Sequence, residues 1–172
     1  MKDYLLETCA ASALLDARHE KHANVKAAIQ NLGSITKIHI SSIGLAELSF
    51  GFDLYNAVRN KNHSMSSHII SEVRKFSVLD VTRHTAAEYA ALKVILATTY
   101  LKNPLTKERR RWIEDWVHAA TGKKLQADEN DLLRCAQARE MNLILITTDK
   151  KLTDVFHKLD IKITKLDFMF IS

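Results

Sequence analysis

Proline occurs once and glycine four times in the 172 residues. A chain of many tight hairpins needs more of both, so this scarcity argues against an all-β fold and for a helix-rich one. There are only two cysteines, Cys9 and Cys135. Two are too few for a disulfide scaffold or a Cys-rich zinc site, and both read as reduced, buried thiols. No stretch approaches ~18 consecutive apolar residues, so no membrane span is expected. The N-terminus lacks the basic, apolar and small-residue regions of a signal peptide, which points to a cytoplasmic protein. Glycine-rich phosphate loops and a G-x-S-x-G elbow are also missing. His19-Glu20-Lys21-His22 places its histidines three apart rather than four, so it is not a zinc-protease motif.

What remains is ordinary for a globular chain: 47% hydrophobic and 26% charged residues. The length suits one domain with a substantial core, spanning 1–172. The net charge of +5 is concentrated in one place. Residues 98–124 hold seven Lys/Arg against three Asp/Glu, while the rest of the chain is nearly balanced. A local basic patch suits a polyanion such as RNA, and from charge alone a solvated helix face is the simpler reading. Within this segment Lys107, Arg109, Arg110 and Arg111 are candidate RNA contacts, because cations suit phosphate and the planar fork of arginine matches it. Trp112, Ile113, Trp116, Val117 and Ala120 read as an apolar helix stripe that packs on the domain or, alternatively, offers a stacking or partner surface.

Five short apolar runs read as strands: Tyr4–Glu7, Lys37–Ile40, Phe76–Val81, Leu143–Thr147 and Ile161–Leu166. Their near-continuous apolarity suits a parallel sheet covered on both faces. Helical patterns lie between them. One covers 24–32 and ends at Gly33; another starts at Ser41-Ser42 and runs through Val58. Thr85-Ala86-Ala87-Glu88 reads as a capping box opening a helix to about Leu101. Thr106 reads as the cap of a helix to about Ala120, Asp128 as the cap of 129–141, and Asp149 as the opening of a short last helix. The alternation predicts an α/β/α fold with a mainly parallel sheet of about five strands and an inserted helical segment at about 98–124.

Ligands of open α/β sheets bind beyond the carboxyl ends of the strands. Glu7 closes the first strand there, and Asp149 follows the fourth. Glu47 lies on a helix face with Gly44 and Gly51 beside it, and Asp131 lies in the first turn of its helix. Four acids at one edge cannot all be ionised without a cation, and a hard divalent ion, Mg²⁺ or Mn²⁺, fits such donors. Each acid also has a simpler reading: a helix cap, an ion pair, or a favourable charge at a helix N-terminus.

The stretches "YLLETCAASALL", "ISSIGLAELSFG" and "NDLLRCAQAREMNLILITTDKKL" resemble the three signature regions of PIN-domain ribonucleases, in particular the VapC-type toxins of toxin–antitoxin pairs. The resemblance covers most of the chain apart from 98–124. It implies that Glu7, Glu47, Asp131 and Asp149 are the catalytic metal ligands, with Thr147 and Thr8 in support. It further implies a metal-dependent endoribonuclease, a homodimer and a cognate antitoxin. The chain departs from the family at its first acid, which is typically aspartate and here is Glu7. Two other functions follow from the same residues: a structure-specific DNA nuclease, and a non-catalytic PIN-like module that binds RNA or protein.

Overall fold

The computed structural model describes residues 2–33, 35–59, 71–73, 75–106, 110–159 and 164–172. Five parallel strands are present: β1 (Tyr4–Leu6), β2 (Ile38–Ser41), β3 (Ser77–Leu79), β4 (Ile144–Thr147) and β5 (Asp167–Phe170). Their order in the sheet is β3-β2-β1-β4-β5. The flanking helices include α1 (Thr8–Leu15), α2 (His22–Gln30), α3 (Ser42–Arg59), α4 (Arg83–Tyr100), α5 (Glu129–Glu140) and α6 (Lys150–His157). Among the described residues no helix is long and apolar enough to cross a membrane.

The strand period of two builds the layers. Leu5 and Leu6 are both fully buried but face opposite sides of the sheet. Leu5 and Leu145 pack with Leu92, Leu96, Leu132, Leu152 and Phe156, so α4, α5 and α6 cover one face. Leu6, Ile40 and Ile146 pack with Ala10, Ala11, Ala13, Val25 and Leu48, so α1, α2 and α3 cover the other. The small side chains of α1 let that helix lie close to the central strand. Each large apolar side chain buried in these two layers contributes about 1.5–3 kcal/mol. Because β1 is central and pairs with both β2 and β4, whatever follows Leu6 is delivered to the middle of the carboxyl edge.

Three expectations need correction. The capping box of α4 is formed by Thr82 and Thr85, not Thr85 and Glu88. Thr82 Oγ1 accepts from the amides of His84 and Thr85, and Thr85 Oγ1 accepts from the Thr82 amide at 3.0 Å. Glu88 pairs instead with Arg139 at 2.7 Å. The fifth strand lies later than 161–166. Residues 160–163 are outside the described residues, Lys165 turns the chain at φ 52°, and pairing with β4 begins at Asp167. Phe168 then packs on Phe156, with ring centroids 5.7 Å apart.

The third correction concerns 98–124. The described part of Thr106–Ala120 forms no α-helix; a 3-10 turn at Ile113–Asp115 and an isolated antiparallel bridge between Val117 and Lys124 take its place. The reason is the side-chain pattern. Ile113 and Trp116 insert into the core as separate anchors, whereas Trp112 and Val117 remain about half exposed. One helix stripe would have buried all four together. Trp116 Nε1 donates to the Arg110 carbonyl at 2.8 Å, which holds the turn shut.

Candidate active site at the carboxyl edge of the sheet

Glu7 is the first residue past β1. Its amide donates to the Ile146 carbonyl at 2.9 Å, fixing it on the seam between β1 and β4. Its side chain caps α1, accepting from the Cys9 amide at 3.0 Å, and is only 4% exposed. Oε2 also takes the Thr147 hydroxyl at 3.2 Å and contacts the Cys9 thiol. Burial, with the Glu7 carboxylate beside it, pushes the Cys9 thiol up to about 11. Burial likewise raises the Cys135 thiol.

Glu47 projects from α3. Thr8, at the start of α1, donates to its Oε2 at 2.5 Å, and Asn130 of α5 donates to its Oε1 at 2.7 Å. Gly44 makes this approach feasible: a Cβ there would stand 3.3 Å from Thr8 Oγ1. Gly51, the other glycine beside Glu47 in the helix, faces open space. Asp131 sits in the first turn of α5. Its Oδ2 accepts from the Asp128 amide at 3.0 Å, and its own amide donates to Asp128 Oδ1 at 2.8 Å.

Arg134, which the motif reading passed over, sits among these acids. Its guanidinium lies 3.5 Å from Glu7 Oε1 and 2.5 Å from Asp131 Oδ1, and it pairs with Glu47 Oε2. Nη1 also donates to Thr8 Oγ1 at 2.9 Å. The residue is 2% exposed. Burial alone would make the guanidinium less basic, but three carboxylates around it hold it above its ordinary value. Asp131 shares that one cation with two other acids and does not recover its own burial cost, so its carboxyl is pushed up to about 6. The signal for Arg134 was its spacing: three residues after Asp131, it lies on the same helix face, inside the otherwise apolar run Leu132-Leu133-Arg134-Cys135-Ala136. Asn130 had no comparable signal.

Asp149 stands differently from the other three. Its Oδ1 caps α6, accepting from the Lys151 amide at 2.7 Å and the Leu152 amide at 3.4 Å. It makes no ion pair with Arg134 among the described residues. Its link to the cluster is Thr147, whose hydroxyl accepts from the Asp149 amide at 2.9 Å and donates to Glu7. Beside the cluster a cavity of about 240 Å³ is lined by Trp112, Glu114, Asp128, Glu129 and Asn130. The Arg111 guanidinium lies 4.6 Å from the centre of the Trp112 ring, while Arg110 lines a separate cavity with Leu101, Thr106 and Trp116. Lys107 and Arg109 lie outside the described residues.

Hard carboxylate oxygens at this edge suit a divalent cation in chemistry. Their arrangement is a different matter: Arg134 stands among three of the acids, and among the described residues no group of three His, Cys, Asp or Glu side chains is disposed to hold a metal ion.

No curated protein sequence matches. Among solved structures the chain is similar to VapBC2 from Rickettsia felis bound to a promoter DNA fragment, with 19% identity, 98% of each chain covered and a TM-score of 0.65. It is similar to VapBC-1 from nontypeable Haemophilus influenzae at 19% identity, covering 97% of this chain and 96% of that one, with a TM-score of 0.62. It is also similar to VapC20 of Mycobacterium tuberculosis, a toxin that cleaves the sarcin–ricin loop, at 16% identity, covering 90% and 95%, with a TM-score of 0.55. At these identities the likeness speaks for the fold. The PIN domain model matches residues 4–158, and a match over that much of its length shows that the chain belongs to the PIN domain family.

Proposed function

We propose that this chain is an endoribonuclease of the VapC toxin type, one PIN-like domain over residues 1–172 that works in the cytoplasm on RNA. The observation that supports it most is the delivery of Glu7, Glu47 and Asp131 to one point from three separate segments, with Asp149 tied in through Thr147. In this reading Glu7, Glu47, Asp131 and Asp149 would hold Mg²⁺ or Mn²⁺, which would supply Lewis-acid activation of water and neutralisation of charge developing on the phosphate. Thr147 keeps the Glu7 carboxylate in place, and Thr8 and Asn130 orient that of Glu47. The basic segment around Arg110 and Arg111 draws in the polyanion.

The likeness to VapBC complexes supports an antitoxin partner. Phe50, Leu54 and Val58 recur every fourth residue on α3 and leave an exposed apolar face, which suits a protein partner such as the antitoxin or a second copy of the chain.

Asp149→Asn tests the reading. Asparagine still caps a helix, so the melting temperature should stay within a few degrees of wild type. Cleavage of single-stranded RNA in Mn²⁺ should vanish. Duplex and flap DNA run alongside decide between an RNA and a DNA nuclease. Undiminished cleavage by the variant would sink the site assignment. A second reading, a non-catalytic module that binds RNA or protein, is favoured by one specific feature, the guanidinium inside the acid cluster; RNA binding without metal and without turnover would support it.

A further inference from the structure

We infer that Arg134 is the resident cation of the acid cluster and competes with a divalent metal ion for the carboxylates of Glu7, Glu47 and Asp131. The inference rests on the nuclease reading above, in which those carboxylates are the metal's ligands.

Three facts carry it. First, the contacts are direct and shared. One guanidinium reaches Asp131 at 2.5 Å and Glu7 at 3.5 Å, and pairs with Glu47 as well. These carboxylates come from the end of β1, from α3 and from α5, and the guanidinium joins all three segments. Second, the group is held rather than passing. It is 2% exposed, it also donates to Thr8 at 2.9 Å, and it sits on the same helix as Asp131, one turn on. The fixed fork of arginine suits such multiple pairing in a way a point charge does not. Third, the two cations exclude each other. Each takes carboxylate oxygens at contact distance, and at a few ångströms in a low-dielectric site their repulsion is severe. A metal ion therefore seats only when the guanidinium withdraws, and its observed affinity is reduced by the work of displacing it.

Three carboxylates against one guanidinium leave the cluster negative, so an ion that does enter is still attracted. The Arg134 Nε, buried and without a hydrogen-bond partner among the described residues, shows that the side chain is anchored only through its terminal nitrogens. Displacement then breaks contacts at Nη1 and Nη2 alone.

The test is a calorimetric titration of metal-stripped wild type, Arg134→Gln and Arg134→Lys with Mn²⁺, paired with melting curves at matched Mn²⁺ concentrations. Arg134→Gln should bind Mn²⁺ at least about tenfold more tightly than wild type, and its melting temperature should rise with Mn²⁺ where that of wild type does not. Arg134→Lys keeps a charge but cannot span three carboxylates, so it should fall between the two. If Arg134→Gln fails to fold without metal, a several-fold gain in Arg134→Lys decides the matter. Equal affinity in wild type and the variants overturns the inference while leaving the nuclease reading intact. Absence of binding in every folded form overturns both.

Discussion

Asn130 Nδ2 donates to Glu47 Oε1 at 2.7 Å, while Arg134, one turn further along the same helix, takes the other oxygen of that carboxylate. Two donors on one face of α5 thus fix the orientation of an acid on α3. The bond crosses 83 positions of sequence, so it links elements that no local rule would connect.

Asn130→Ala should therefore loosen Glu47 without emptying the core. Glu47 is partly solvated, so the loss should be about 1 kcal/mol, near the ordinary net worth of a hydrogen bond. Asn130→Asp should cost more, because it sets a second carboxylate against the first. Urea denaturation of the three proteins checks the order; a variant with Asp at 130 as stable as wild type would contradict the contact.

Asp131 makes stability depend on pH in a defined direction. Its carboxyl is pushed up to about 6 by burial, against 3.8 for an ordinary aspartate. Between those values the native state holds a proton that the unfolded chain releases, so stability falls as pH rises through this window. Arg134 stays charged throughout and adds no slope. A displacement of about two pH units corresponds to about 3 kcal/mol. In chelator, wild type should lose roughly that much relative to Asp131→Asn between pH 4 and pH 7.5. A stability difference that stays flat over this range would show that Asp131 titrates normally.

Trp112 and Trp116 should respond to truncation very differently. Trp116 is 2% exposed and anchors the segment 110–125 to the core, with its indole bonded to the Arg110 carbonyl. Trp116→Ala should cost about 3–5 kcal/mol, the range for removing a large buried aromatic. Trp112 is 46% exposed, and Trp112→Ala should cost well under half of that. Chemical denaturation of both variants distinguishes this arrangement from the single apolar helix stripe that spacing alone suggests, in which the two losses would be similar.

Much of the architecture is legible in the chain because parallel strands buried on both faces leave near-continuous apolar runs, as at Tyr4–Leu6 and Ile144–Thr147. The caps at Asp128 and Asp149 are legible for a related reason: a side-chain acceptor must satisfy the amides of a helix's first turn. The Thr82 cap escapes because Thr85 and Glu88 present the same pattern one turn later, and only the partner of Glu88, Arg139 on another helix, decides between them. The segment 98–124 escapes because two tryptophans four residues apart fit a helix stripe equally well as two separate anchors.

The candidate site divides along the same line. The acids and their elements are legible in the chain, since Glu7, Asp131 and Asp149 each sit at a strand or helix end where local hydrogen bonding favours a carboxylate. Helical periodicity puts Arg134 on the face of Asp131, but the motifs drew no attention to it. That the same guanidinium also reaches Glu7 and Glu47 is a property of the fold and not of any local pattern. The physical reason is that an ion pair depends on distance in space. Residues 7, 47 and 134 meet only because the sheet places β1 beside both β2 and β4, and because α3 and α5 close over its carboxyl edge.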